Sequence, residues 1–227
     1  MAQVNINVGG GKFLHRGWLN LDGRAGFTLS PTCTFPLDSA DTVYSSHCLE
    51  HLDDATVDRV LSEARRVGKT LVLKLPNFDQ VIERRIAWDE NYFDKWGMSK
   101  LYRMWDVVDV DRKASMVFCG YWNKEYGHEF GGRRPDAEGA YHGPVELDSY
   151  DFLVENHTPH EIAAILKSKA PAGVQFNHQN AWSLAELVAL VGKHGWRVES
   201  VNDEEICKMP IPTIEDMRDI SMYLKAV

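Results

Sequence analysis

Residues 42–76 read TVYSSHCLEHLDDATVDRVLSEARRVGKTLVLKLP, and this run decides the fold class. Thr42-Val-Tyr-Ser-Ser46 is a β-branched and aromatic run that predicts a strand. From Asp53 to Val67, the residues Val57, Val60, Leu61 and Ala64 share one helical face. Asp53 and Asp54 suit the N-cap and first turn, Arg65 and Arg66 the last turn, and Gly68 the stop. Thr70-Leu-Val-Leu-Lys-Leu75 is a second strand without strict alternation, ended by Pro76. A strand, a helix and a strand in succession predict a mostly parallel α/β sheet covered by helices.

The flanking segments extend the pattern. Upstream, Val4-Asn-Ile-Asn-Val8 alternates apolar and polar residues and stops at Gly9-Gly10-Gly11. Trp18-Leu-Asn-Leu21 follows as another strand and ends at Asp22 and Gly23. Downstream, Leu184 to Lys193 predicts a helix, with Ser183 and Glu186 forming a capping box. Gly195 follows it, then Trp196 to Val201 as a strand and Met222 to Val227 as a last one. Between residues 85 and 178 the alternation breaks into an aromatic- and glycine-rich stretch, as in Phe118-Cys-Gly-Tyr-Trp-Asn-Lys-Glu-Tyr-Gly127. So many aromatics would not stay solvated, and the stretch reads as a cap inserted within a single domain spanning residues 1–227.

Composition narrows the classes. The 227 residues are 44% hydrophobic and 26% charged, a globular balance that excludes disordered, collagen-like and coiled-coil chains. No apolar run reaches the roughly 18–20 residues of a membrane helix, and MAQVNINVGGG lacks the basic flank and apolar run of a signal peptide. Cys33, Cys48, Cys119 and Cys207 are scattered without a C-x-x-C pair, which points to a reducing, cytoplasmic compartment. A net charge of −8 disfavours a partner made of bulk nucleic acid, since neutralising phosphates needs a basic face.

The glycine turn carries the first chemical hint. After a strand, glycine lets the backbone turn sharply and approach a ligand with no Cβ in the way. Asp22 closes the next strand, where one carboxylate can accept both hydroxyls of a ribose. A nicotinamide dinucleotide site is disfavoured: Asp22 falls too soon after the glycines, and Phe13-Leu14 occupy the place of a third glycine.

Five motifs then fall in order: Asn7-Val-Gly-Gly-Gly11, Gly17-Trp-Leu-Asn-Leu-Asp22, Phe35-Pro-Leu-Asp-Ser-Ala-Asp41, Ser46-His-Cys-Leu-Glu-His-Leu52 and Glu63-Ala-Arg-Arg-Val67. In this order they resemble the S-adenosylmethionine-dependent methyltransferases of the seven-strand Rossmann-like fold, in the type 11-like branch. Leu73-Lys-Leu-Pro-Asn77 stands where that family ends its fifth strand, so the cap follows it. The unit Asn180-Ala-Trp-Ser-Leu…Gly195-Trp196 resembles the family's penultimate helix and strand. The resemblance covers residues 3–80 and 178–227. It implies that Asn7, Gly9 and Gly11 border the methionine part of S-adenosylmethionine and that Asp22 binds the ribose. It further implies that Leu29 and Ser30 lie beside the adenine, and that Ser46 and His47 line the pocket floor. The product would be S-adenosylhomocysteine. Asn7 stands where the family commonly has an acid, and residues 12–17 leave no room for a full first crossover helix. With no helix before the first strand, the cap or a second subunit (a homodimer) would cover the site.

The same region offers another chemistry. His47-Cys-Leu-Glu50-His51 matches H-x-x-E-H, the inverted zinc-peptidase signature, which needs both histidines on one helical face. Here His47 directly follows a strand and a helix signal starts only near Asp53, so no metal ligand is assigned. His51 reads as a helix-start histidine bonded to backbone. His157 and His160, in His-Thr-Pro-His-Glu, read as a helix start, and His178 as structural.

Methyl transfer needs positioning and exclusion of water, and needs a base only when the acceptor holds a proton. Within the cap, Tyr121, His128, Tyr141 and His142 are the candidate acceptor contacts or bases. Three functions follow: a methyltransferase acting on a small-molecule or carbohydrate acceptor, a non-catalytic binding module of the same fold, and a zinc hydrolase using His47, Glu50 and His51.

Overall fold

In the computed structural model, residues 4–10, 16–21, 35–94, 109–119, 150–169, 178–202 and 220–227 are described. They fall into two units, Met1–Asn77 with Leu184–Val227, and Phe78–Ser183.

The first unit is built on a six-stranded sheet in the order β2-β1-β3-β4-β6-β5. Its strands are β1 (Asn5–Val8), β2 (Leu19–Leu21), β3 (Ala40–Ser46), β4 (Gly68–Pro76), β5 (Val198–Val201) and β6 (Ser221–Ala226). The pairs β2-β1, β1-β3 and β3-β4 are parallel, and β6 runs antiparallel to both β4 and β5. This is a mostly parallel, Rossmann-like α/β sheet, as expected. The two strands of the deciding run lie side by side at its centre.

Helix α1 (Asp54–Val67) connects them. The Asp53 carboxylate accepts the Thr56 amide at 2.7 Å, and Arg65 and Arg66 occupy the last turn, each end complementing the helix dipole. Val57, Leu61, Ala64 and Val67 are buried. Gly68 does not end the helix by a left-handed turn, for its φ of −108° and ψ of 144° already belong to β4. Glycine is needed there for space instead. A Cβ would lie 2.6 Å from Val43 Cγ2 and 3.0 Å from the Ala64 carbonyl.

The period-2 alternation of strands gives the sheet two unlike faces. One carries Ile6, Val8, Val43, Leu71, Leu73, Leu75, Met222 and Leu224, all buried. The other carries Asn7, Asn20, Tyr44, Val72, Lys74 and Tyr223, brought together by the registers Asn7↔Asn20, Asn7↔Tyr44, Tyr44↔Val72 and Lys74↔Tyr223. Helix α7 (Leu184–Lys193) leads through Gly195, at φ 80°, to β5. Its end is tied to α1 where the Arg65 guanidinium reaches the Gly195 carbonyl and lies over the Trp196 ring.

The second unit is helical among its described residues: α2 (Phe78–Ile86), α3 (Glu90–Asp94), α4 (Val110–Cys119), α5 (Tyr150–Asn156) and α6 (Pro159–Lys169). Phe78 stacks on Phe118 with centroids 5.3 Å apart, and the His178 ring meets Phe78 edge-on. His178 Nδ1 lies 2.8 Å from the Val117 carbonyl, the structural role expected of it. Thr158 and Glu161 exchange hydrogen bonds between side chain and amide at the start of α6, so His157 and His160 do belong to a capped helix start. No described helix is long and apolar enough to cross a membrane.

Candidate functional site

The parallel strands β1, β2, β3 and β4 all point their carboxyl ends to one edge of the sheet. Open α/β sheets bind ligands at that edge. Three chain turns meet there: Gly9-Gly10 after β1, the end of β2 at Leu21, and His47-Cys48 after β3.

Gly9 has φ 74°, and its amide donates to the Leu21 carbonyl at 2.7 Å, tying the first turn to the end of β2. A Cβ there would lie 2.1 Å from Cys48 Sγ. The turn is therefore packed directly on the residue following His47. Asn7 is buried, and its amide donates to Asn20 Oδ1 at 2.9 Å on the polar face. Asn20 in turn donates to the Trp18 carbonyl at 3.1 Å.

Ser46 is the last residue of β3, and His47 leaves the strand at φ 46° with its amide bonded to the Lys74 carbonyl at 2.8 Å. Left-handed backbone is uncommon outside glycine and redirects the chain sharply. It turns the His47 ring toward two groups. Nε2 lies 2.9 Å from Ser221 Oγ at the start of β6, and Nδ1 lies 3.4 Å from Glu50 Oε1. Glu50 is wholly buried in a single 3-10 turn, Leu49–His51, and His51 Nε2 lies 3.7 Å from the same carboxylate oxygen. His51 donates its amide to the Cys48 carbonyl, the bond that closes this 3-10 turn, so it ends a short turn rather than starting the helix, which is capped by Asp53. The α-helix required by H-x-x-E-H is absent from residues 47–51, where a bend after β3 and a 3-10 turn stand instead.

Beneath this edge, Lys74 is 1% exposed, with its ammonium 5.3 Å from the centroid of the Tyr223 ring. Tyr44, beside Tyr223 and Val72, meets Trp18 edge-on at 6.3 Å. Burial, with Tyr223 close by, pushes the Tyr44 phenol up to about 12.

Of the expected cofactor residues, Asn7, Gly9, Ser46 and His47 are described, and all four lie in β1, β3 or the residues that follow them. Gly11, Asp22, Leu29 and Ser30 lie outside the described residues, as do Tyr121, His128, Tyr141 and His142. Ser221 escaped the sequence reading, for only the register of β6 on β4 brings it to His47. Lys74 also went unremarked in the sequence, although a charge inside an apolar strand is a signal that demands a partner.

No protein-family model and no curated protein matches the chain. Among solved structures, an S-adenosylmethionine-dependent methyltransferase from Mesorhizobium loti aligns at 15% identity over 99% of this chain and 89% of its own, with TM-score 0.40. The methyltransferase CalO6 aligns at 12% identity, 100% and 57% coverage and TM-score 0.41. A candidate methyltransferase of an antibiotic biosynthesis pathway from Anabaena variabilis ATCC 29413 aligns at 14% identity and TM-score 0.28. That alignment covers 38% of this chain and 46% of the Anabaena protein, so the chain spans less than half of that protein's length. The fold assignment rests on strand order and register themselves.

Proposed function

We propose that this chain is an S-adenosylmethionine-dependent methyltransferase acting on a small-molecule or sugar acceptor. One observation carries the reading: the Gly9-Gly10 turn, the end of β2 and the Ser46-His47 strand end meet at the carboxyl edge of one parallel sheet. These belong to three of the motifs, in the same order, that resemble the family. The edge suits such a cofactor because the Gly9-Gly10 main chain carries no side chain toward a ligand and Asp22 directly follows Leu21.

In this reading, Asn7, Gly9 and Gly11 border the methionine part, Asp22 holds the ribose hydroxyls, Leu29 and Ser30 flank the adenine, and Ser46 and His47 form the floor. The cofactor supplies an electrophilic methyl group on a sulfonium. The chain's part is to orient the acceptor in line and keep water out, with Tyr121, His128, Tyr141 and His142 of the 85–178 region as acceptor contacts. A cytoplasmic setting and a homodimer belong to the same proposal.

A second reading, a binding module without turnover, draws on Asn7. An uncharged amide bonded to Asn20 stands where an acid would meet the cofactor's amino group. Calorimetric titration with S-adenosylhomocysteine, with NAD and zinc in parallel, tests the main proposal. Micromolar or tighter binding of S-adenosylhomocysteine alone supports it, and no binding removes it. Turnover then separates enzyme from module.

A further inference from the structure

Ser221, His47 and Glu50 lie in line at the carboxyl edge of the sheet: the Ser221 hydroxyl and His47 Nε2 share a hydrogen bond at 2.9 Å, and Nδ1 faces the Glu50 carboxyl group at 3.4 Å in an ion-pair contact without a hydrogen bond. The three come from the start of β6, the end of β3 and the turn after it, so only the folded sheet assembles them. A bare Nδ1 would set its lone pair against the Glu50 oxygen it faces at 3.4 Å, so the arrangement favours the tautomer with the proton on Nδ1. Nε2 is then bare and accepts the Ser221 hydroxyl. A hydroxyl, an imidazole oriented by an acid, and a strand-edge location are the parts of an activated proton-transfer chain.

Two comparisons within the molecule narrow its role. Acyl transfer from Ser221 would need amides free to stabilise an oxyanion. Among the described residues at this edge, the amides of Gly9, His47 and Asn77 are already bonded to the carbonyls of Leu21, Lys74 and Ile220. Ser62, His194 and Asp58 form a second hydroxyl-imidazole-carboxylate chain, at 3.0 and 2.9 Å. That one sits between α1 and the residue following α7, its Asp58 is 44% exposed and shared with Lys193, and it serves to tie the two elements together. Glu50, by contrast, is wholly buried at the strand edge, with His51 as its second neighbour.

We infer that Ser221-His47-Glu50 withdraws a proton from the methyl acceptor, so that the acceptor is a hydroxyl compound. This rests on the methyltransferase reading and adds the class of acceptor to it. As the acceptor oxygen forms its bond to the methyl carbon, the carbon–sulfur bond breaks and its electron pair stays on sulfur as the thioether. The acceptor proton passes to Ser221 Oγ while the Ser221 proton passes to His47 Nε2. The imidazolium so formed is held by Glu50, which acts as a positioning residue. An acceptor that loses its proton unaided, as a neutral amine attacks before losing it, would not need the chain.

The test has two arms. Nitrogen-15 spectra of histidine-labelled protein at about pH 8, with His47 assigned by its loss in His47→Gln, read the tautomer without any acceptor. Nδ1–H with a bare Nε2 is expected, kept in Ser221→Ala. An Nε2–H tautomer, or an imidazolium at that pH, overturns the proposal whatever the turnover. The second arm supplies S-adenosylmethionine with a phenol, a hexose and a primary amine, and follows S-adenosylhomocysteine release. Methylation of a hydroxyl probe is expected to fall about 100-fold or more in Ser221→Ala and His47→Gln. Ser221→Thr should retain it, and S-adenosylhomocysteine affinity in Ser221→Ala should stay within about twofold. Methylation of the amine alone, or hydroxyl methylation unchanged in Ser221→Ala, overturns the proposal. Failure of wild-type protein to bind S-adenosylhomocysteine would instead remove the methyltransferase reading, leaving the tautomer to judge the chain.

Discussion

Gly9 and Cys48 are locked together: a single carbon added to Gly9 would fall 2.1 Å from the Cys48 sulfur and 2.6 Å from its Cβ. The two residues follow different strands, β1 and β3, so their contact sets how closely those strand ends approach. Gly9 is also at φ 74°, where an L side chain is strained. The glycine at this turn thus has a reason internal to the protein, apart from any ligand.

Gly9→Ala should therefore destabilise the fold itself, by roughly 2–4 kcal/mol from overpacking and backbone strain combined. Cys48→Gly in the same background should recover the overpacking share and leave the strain. Urea denaturation of the two single variants and the double variant measures the coupling. Additive effects would show that the two residues do not meet.

Gly68 makes a cleaner case of space alone, because its backbone is ordinary extended chain. Gly68→Ala should cost roughly 1–3 kcal/mol as Val43 and the Ala64 carbonyl are pushed aside. Shortening the neighbour, in Gly68→Ala with Val43→Ala, should cost less than the sum of the two single changes. A neutral Gly68→Ala in thermal unfolding would contradict the packing described.

The strands at the centre of the sheet were legible because their signals agree at several levels. Residues 42–46 and 70–75 are β-rich, and the helix between them has its face, its Asp53 cap and its basic end in register. Gly68 does stop the helix, but the reason, room beside Val43 and the Ala64 carbonyl, was not legible, since a glycine after a helix reads the same whether it is needed for conformation or for space. The site was less legible still. His47 and Glu50 are close in sequence, but Ser221 meets them through the pairing of β6 with β4, and no local pattern encodes that register. Asn7 could be placed in β1, yet its bond to Asn20 depends on a parallel neighbour reached through residues 9–18.

Asp22→Ala tests the ribose contact directly. If Asp22 holds both ribose hydroxyls, as proposed, its loss should weaken S-adenosylhomocysteine binding by about 1–3 kcal/mol, a change calorimetry resolves. Thermal stability in the absence of ligand should change far less. Unchanged affinity would take Asp22 out of the site.

Tyr44 should make stability fall in alkaline solution. An unfolded tyrosine ionises near 10, whereas burial beside Tyr223 and Val72 pushes the folded phenol up to about 12. The folded state thus holds its proton more tightly than the unfolded state. The corresponding stability is fully present below pH 10 and is lost progressively as pH rises toward about 12. Two pK units correspond to about 3 kcal/mol over that window. Tyr44→Phe keeps the ring against Trp18 and removes the titrating group. Urea midpoints measured at pH 9 and pH 11 should therefore fall less in Tyr44→Phe than in the unaltered protein. Equal losses in the two proteins would mean that another group drives the alkaline transition.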